Sequence, residues 1–172
     1  VVSSASGVRV ADNVMGVSGV GAVVGSDAAG ATVVDNTVGV AEDGTTPLDE
    51  VRAGIVVTAS GATVQGNVVR GRSVGIELLG SGASGATVVD NHVGIDRPGT
   101  AAFDEQGYGI RTDGAPGATI TGNRVHGQIG AIVLTGTNAT APGPDGIELG
   151  VQGSGPPEGP VTGTGATVED ND

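Results

Sequence analysis

The sequence GATVVDN occurs at residues 30–36 and again at residues 85–91. Three close variants repeat it, GATVQGN at 61–67, GATITGN at 117–123 and GATVEDN at 165–171, and a diverged copy, GVRVADN, occupies residues 7–13. The closing asparagines lie 23, 31, 24, 32 and 48 residues apart. This spacing indicates an internal repeat of about 24 residues with about eight extra residues in alternate units.

Each copy alternates apolar and polar residues, which is typical of a half-buried strand. Val or Ile stands three residues before every closing Asn, and this position is predicted to point inward. The position four before the Asn is Thr in five copies and is predicted to point outward. A third strand is predicted in each unit where Gly precedes Ile, as at Gly54, Gly75, Gly109 and Gly146.

Three short strands per unit predict a coil of rungs stacked at about 4.8 Å, the strand spacing of a sheet. The closing asparagines fit an inward turn position, where each amide can hydrogen-bond to the next. The Asp or Gly before each Asn supplies the turn chemistry. The predicted structural ladder consists of Asn13, Asn36, Asn67, Asn91, Asn123 and Asn171.

This pattern resembles the right-handed parallel β-helix repeat of the pectin-lyase-like superfamily. The segments at residues 36–47 and 91–102 are similar to the Asn-x-Ile-Gly-Thr-Asp-x-x-Gly-Thr-x-Ala repeats of large bacterial surface and secreted proteins. The resemblance implies an all-β right-handed parallel β-helix solenoid of about six or seven rungs with three short strands per rung. It also implies an extracellular or cell-surface location.

Composition fits a thin stacked core better than a globular one. The 172 residues include 34 Gly and only one Phe and one Tyr, so Val, Ile and Ala must fill the interior. A net charge of −12, with seven Arg and no Lys, argues against a nucleic-acid partner. The chain has no Cys and no apolar run long enough for a transmembrane segment.

We expect residues 1–172 to form a single β-helix domain. Solenoids need polar caps at their ends, and because neither end of the sequence resembles a cap, we expect an excerpt of a longer solenoid. Residues 135–164 are rich in Gly and Pro and are either an irregular loop or a degenerate rung. The interval of 48 residues, twice the repeat, slightly favours the rung.

The catalytic candidates form a small cationic set, Arg70, His92, Arg124 and His126. These residues stand one or three positions after their asparagines, and such positions are expected to face outward together. The set could bind the carboxylates of a uronic-acid polymer, with a His or Arg accepting a proton. The simpler interpretation is a solvated face with cross-rung ion pairs, such as the pair that Glu77 would form with Arg111.

The metal candidates are Asp49, Glu50, Asp104 and Glu105, which occupy matching places on the two extra segments, Gly44–Glu50 and Gly99–Glu105. Ca²⁺ binds six to eight oxygen ligands, so these carboxylates could contribute to a calcium site. An acidic, solvent-exposed loop is the simpler interpretation. No other cofactor is indicated.

The catalytic motifs of the polygalacturonase-like and alginate-epimerase relatives are not found in this sequence. We therefore expect a non-catalytic extracellular or cell-surface β-helix module, acting as a spacer, an adhesin or a carbohydrate-contact surface. Its partners would be polysaccharides or other cell-surface proteins. The alternatives are a polysaccharide lyase or epimerase that uses the outer Arg/His face, and a calcium-stabilised assembly module.

Overall fold

The computed structural model describes residues 2–3, 5–16, 19–48, 51–103, 107–126, 129–135 and 167–169. In this part of the chain seventeen strands form three parallel sheets, which we name A, B and C. Successive strands along the chain visit the three sheets in turn, so each strand pairs with the strands one rung before and after it. This is the right-handed parallel β-helix predicted from the repeat.

Sheet A contains β1 (Val2–Ser3), β4 (Gly19–Val24), β7 (Val51–Val57), β10 (Val74–Leu79), β13 (Tyr108–Asp113) and β16 (Gly130–Thr135). Sheet B contains β2 (Arg9–Ala11), β5 (Thr32–Val34), β8 (Thr63–Gln65), β11 (Thr87–Val89), β14 (Thr119–Thr121) and β17 (Thr167–Glu169). Sheet C contains β3 (Val14–Met15), β6 (Thr37–Val38), β9 (Val68–Val69), β12 (His92–Val93) and β15 (Arg124–Val125).

Five complete rungs follow from this order in the described residues, with β1 before them and β17 after them. We number them by their strands: rung 1 is β2–β4, rung 2 is β5–β7, rung 3 is β8–β10, rung 4 is β11–β13 and rung 5 is β14–β16. Six or seven rungs were predicted. The count is lower because the sixth copy of the repeat contributes one described strand, β17.

The last copy of the repeat contributes β17 to sheet B. Strand β17 pairs directly with β14, with Ile120 opposite Val168. Residues 135–164 were predicted to be either an irregular loop or a degenerate rung, and because residues 136–164 lie outside the described part of the chain, both alternatives stay predictions.

The core follows the predicted columns. Sheet B contributes a row of fully buried β-branched side chains, Val33, Val64, Val88 and Ile120, and sheet C contributes Val38, Val69 and Val93. Ile55, Ile76, Ile110 and Ile132 face them from sheet A. The predicted outward Thr column on sheet B is half-buried along its four central members, Thr32, Thr63, Thr87 and Thr119. Successive residues of each strand thus point alternately to the core and to the outer face.

The corner between sheets B and C requires a left-handed backbone at the residue before each Asn. Asp12, Asp35 and Asp90 have φ of 58°, 55° and 54°, and Gly66 and Gly122 have φ of 64° and 65°. Asp and Gly are among the residues that tolerate this region best. The restriction of this motif position to Asp or Gly is therefore a backbone requirement of the corner.

The extra residues of alternate repeats form two short inserts between sheets C and A. Insert 1 comprises residues 40–48 of rung 2, and insert 2 comprises residues 95–103 of rung 4. Each closes with an antiparallel bridge, Val40 to Pro47 and Ile95 to Ala102. Insert 1 begins after Gly39, which has φ of 70° and lies so close to the Arg70 carbonyl that a Cβ would overlap it.

Candidate functional site

The asparagine ladder is the most regular polar feature of the interior. Asn36, Asn67 and Asn91 have no solvent exposure and Asn123 has 1%. The Oδ1 of Asn67 accepts the backbone N–H of Asn36 at 2.9 Å and its Nδ2 at 3.0 Å. The same pair of bonds links Asn13 to Asn36, Asn67 to Asn91 and Asn91 to Asn123.

The amides of Asn36, Asn67, Asn91 and Asn123 also bind the backbone of two rungs. Nδ2 of Asn67 donates to the Gln65 carbonyl of its own rung and to the Val33 carbonyl of the preceding rung, both at 2.9 Å. The buried amide is thereby satisfied on both its nitrogen and its oxygen, as a buried polar group must be. The predicted ladder is present at Asn13, Asn36, Asn67, Asn91 and Asn123, and Asn171 lies outside the described residues.

The two inserts lie against the outer side of sheet C and touch each other. The backbone N–H of Arg97 in insert 2 donates to the Gly44 carbonyl in insert 1 at 2.9 Å. The guanidinium of Arg97 also reaches back to rung 2, where its Nη2 donates to Thr37 Oγ1 at 2.9 Å. The inserts are two rungs apart in sequence order and yet in direct contact.

A small second core lies beneath the inserts. Phe103 from insert 2 packs with Val68 of rung 3 and Val40 of insert 1, and all three are buried. Val68 occupies an outward position of sheet C and would be exposed on an uncovered solenoid. Insert 2 therefore covers the outer face of rung 3, which has no insert of its own.

Arg70 departs from its predicted place on an outer face, because its exposure is only 3%. It follows the end of β9, in rung 3, and its Nη1 donates to the Leu48 carbonyl at the end of insert 1 at 3.0 Å. The inserts cover it, and the rule that placed it outward considered only the alternation along a strand. Arg70 is thus separated from the other three cationic candidates by its burial.

His92 and Arg124 do come together. They are register partners on β12 and β15, on the outer face of sheet C in rungs 4 and 5. His92 is half-buried and Arg124 is exposed. Arg124 lies across Gly99 of insert 2 so closely that a Cβ on Gly99 would overlap its guanidinium. A cation is therefore held beside an imidazole at the edge of insert 2.

A backbone contact orients the His92 ring. Its Nδ1 lies 3.0 Å from the Asp96 carbonyl oxygen. A carbonyl only accepts, so Nδ1 carries the proton in this contact and Nε2 of the neutral ring is the acceptor. The fourth candidate, His126, is half-buried after the end of β15, and its backbone N–H donates to the Val93 carbonyl.

The four metal candidates Asp49, Glu50, Asp104 and Glu105 lie outside the described residues, so the calcium hypothesis stays a prediction. Within the part of the chain that the structure describes, no three His, Asp or Glu side chains form a metal-binding group. Two nearby carboxylates, those of Asp43 and Asp96, have a structural role in the inserts.

Asp43 closes the turn of insert 1. Its Oδ2 accepts the Thr46 hydroxyl at 2.6 Å, and its Oδ1 accepts the backbone N–H groups of Thr45 and Thr46. These bonds, the Thr46 hydroxyl foremost, hold the Asp43 pKa well below its usual value. Asp96 closes insert 2 in a similar way, and its pKa is lowered chiefly by the backbone N–H of Ala101.

The ion pair predicted between Glu77 and Arg111 is present on the outer face of sheet A. Their side chains approach to 3.7 Å, and the Arg111 guanidinium also lies 5.7 Å from the centre of the Tyr108 ring. The pair joins adjacent rungs, because β10 and β13 place Glu77 opposite Arg111. It lies on a different face of the solenoid from His92 and Arg124.

Two features of the site were not predicted. One is Arg97, which joins the inserts; the matching Gly-Thr pairs at Gly44 and Gly99 showed that the inserts are equivalent but not that they touch. The other is a second buried alanine in each corner before sheet B, at Ala28, Ala59, Ala83 and Ala115. This column recurs eight residues before the closing Asn and could have been found in the repeat.

Among the described residues the helical content is the single 3₁₀ turn Ser81–Ala83, and no helix there is long enough to cross a membrane. No protein-family model, no curated protein and no solved structure matches this chain.

Proposed function

We propose that this β-helix is a non-catalytic spacer module of an extracellular or cell-surface protein. The observation that carries the proposal is the unbroken ladder from Asn13 to Asn123, because active sites usually interrupt a repeat locally. The inserts, which are the main departures from the repeat, are packed into the stack through Phe103 and Arg97. Phe103 and Arg97, which depart from the motif, thus have structural partners.

The aromatic residues favour a spacer over a carbohydrate-contact surface. Sugar rings are commonly recognised on exposed aromatic faces, which combine an apolar surface with polar edges. The two residues of this type in the sequence are Phe103 and Tyr108. Phe103 is buried beneath insert 2, and Tyr108 is half-buried beside Arg111.

A spacer should tolerate a change of length, and this gives a direct test. Duplicating residues 37–91, one complete two-rung unit of 55 residues, should extend the molecule by about 10 Å while keeping it folded. Small-angle scattering would measure the extension. A duplicated chain that unfolds or keeps its original length would contradict the proposal.

A polysaccharide lyase is the second candidate, and the contact between His92 and the Asp96 carbonyl favours it. The neutral ring offers Nε2 as a proton acceptor, and Arg124 on the neighbouring rung can neutralise a uronate carboxylate. The test is incubation with uronate polymers while the ultraviolet absorbance of unsaturated products is followed. Turnover that disappears in His92→Ala and Arg124→Ala, but persists in Arg111→Ala, would support the lyase and overturn the spacer.

A further inference from the structure

The arrangement of the inserts bears on how the solenoid opens. In a repeat protein each unit ordinarily contacts only its neighbours, so its stability is a sum of single-unit and nearest-neighbour terms. Here insert 2 of rung 4 contacts rung 2 directly. Arg97 N–H binds the Gly44 carbonyl and Arg97 Nη2 binds Thr37, which lies 60 residues earlier in the chain.

Rung 3 is enclosed by these contacts. Phe103 covers Val68 on its outer face, and its Arg70 guanidinium is buried against the Leu48 carbonyl of insert 1. Rung 3 carries no insert of its own. The space outside its sheet C strand is filled by the inserts of rungs 2 and 4. The two inserts touch each other across rung 3, which gives a steric reason for inserts in alternate repeats only.

We propose that the two inserts form a strap that makes rungs 2, 3 and 4 open as one cooperative unit. Rung 3 cannot separate from rung 2 without also breaking the contacts that rung 4 makes to rung 2. A plain solenoid would instead lose its rungs one at a time from an end. The inference rests on the contacts of the inserts and holds whether or not the module is a spacer.

Native-state hydrogen exchange tests the strap, because it reports the opening of each segment. The informative amides are those between rungs on sheet C: Val68 and Arg70, which donate to rung 2, and His92 and Gly94, which donate to rung 3. In the unaltered chain all four amides should have the same opening free energy. That free energy should also change with denaturant concentration in the same way for each amide.

Removing the bond between Arg97 and Thr37 should uncouple the rungs. In Arg97→Ala the Val68 and Arg70 amides should exchange about tenfold faster than before, and their opening should separate from that of His92 and Gly94. Thr37→Val, which keeps the shape of this buried side chain and removes only the acceptor, should show the same separation. It serves as the second variant should Arg97→Ala fold poorly.

Arg111→Ala is the matched control, since it removes a partly exposed arginine from sheet A and leaves the inserts untouched. In this variant we expect the four amides still to open together, with one opening free energy. Two results would overturn the proposal: a common opening that survives in both Arg97→Ala and Thr37→Val, or four amides that already open separately in the unaltered chain.

Discussion

The carboxylate of Asp35 occupies the space in which a side chain at Gly66 would begin. A Cβ built on Gly66 would overlap Asp35 Oδ1, and the same relationship joins Asp90 to Gly122 one two-rung unit later. Both members of each pair have left-handed backbones. The carboxylates of Asp35 and Asp90 therefore each lie against a Gly of the following rung, whereas Asp12 is followed at this corner by Asp35.

Gly66→Ala should be more destabilising than the same change at Gly61. Both residues have positive φ, 64° and 62°, so each substitution brings backbone strain of about 1–2 kcal/mol. Gly61 has open space around its Cβ position, whereas a Cβ on Gly66 must displace the exposed Asp35 carboxylate from its rotamer, at a cost of about 0.5–1.5 kcal/mol. Urea unfolding of the two variants would measure the difference.

A second substitution isolates the overlap. In an Asp35→Gly background the carboxylate is gone, so Gly66→Ala should cost no more than Gly61→Ala. The double-mutant cycle would then give a coupling energy of about 0.5–1.5 kcal/mol between positions 35 and 66. Equal costs at Gly66 and Gly61 in the original background would contradict the assigned contact.

Asn67→Ala should be among the most destabilising single changes in the solenoid. It removes the acceptor of the Asn36 N–H and Nδ2 groups and the donor to the Val33 and Gln65 carbonyls, all in the interior. We expect a loss of about 3–5 kcal/mol, because buried groups left unpaired keep their full desolvation cost. Asn13→Ala is the control; Asn13 is exposed, and a loss of about 1 kcal/mol is expected because water replaces its bonds.

Asn67→Asp should make stability depend on pH near neutrality. An aspartate there would have a carboxylate oxygen facing the Val33 and Gln65 carbonyls, so its folded pKa should be raised above the usual value of about 3.9. Because the folded state then binds the extra proton, stability should fall as pH rises from about 4 through the folded pKa. If the difference in urea midpoint between Asn67→Asp and the unaltered chain stays constant from about pH 4 to about pH 8, this prediction is contradicted.

Asp43 should contribute stability that acid removes. Its folded pKa is lowered, so its contribution is fully present above the unfolded pKa of about 3.9 and is lost as pH falls through the folded pKa. The difference in urea midpoint between the unaltered chain and Asp43→Ala should therefore be constant near neutral pH and narrow below about pH 4. Thr46→Val, which removes the hydroxyl but keeps Asp43, should give an intermediate curve. A difference that widens in acid would refute the assignment.

The ion pair between Glu77 and Arg111 should contribute little. It lies 3.7 Å apart on a partly exposed face, and such pairs are worth below about 1 kcal/mol. A double-mutant cycle with Glu77→Gln and Arg111→Gln should show a coupling in that range that declines as salt is added. A larger, salt-independent coupling would show that the pair is better shielded than its exposure indicates.

The parts of the fold that follow from local alternation could be predicted from the sequence. The ladder asparagines and the inward column of Val33, Val64 and Val88 recur at fixed positions of the repeat. The length of the repeat and its buried positions could therefore be determined together. Arg70 could not be placed in this way. It stands beyond the end of β9, and its burial depends on inserts from two other rungs, which no single repeat encodes.

The site could be predicted less well than the fold, for the same reason. His92 and Arg124 were expected to be neighbours because they share an offset from the asparagine, and the pairing of β12 with β15 bears this out. The role of Arg97 depends on contact between residues 60 positions apart, outside the repeat columns. The matching position of insert 1 holds Glu42, so comparison of the two inserts could not reveal this role.

The asparagine ladder has a direction, and this gives the stack two unlike ends. Each Asn donates its N–H and Nδ2 to the Asn of the following rung, so every rung presents two donors to the rung after it and an amide oxygen to the rung before it. A rung docked in reverse order would place donors against donors and leave them buried without an acceptor. The ladder therefore favours one polarity of stacking.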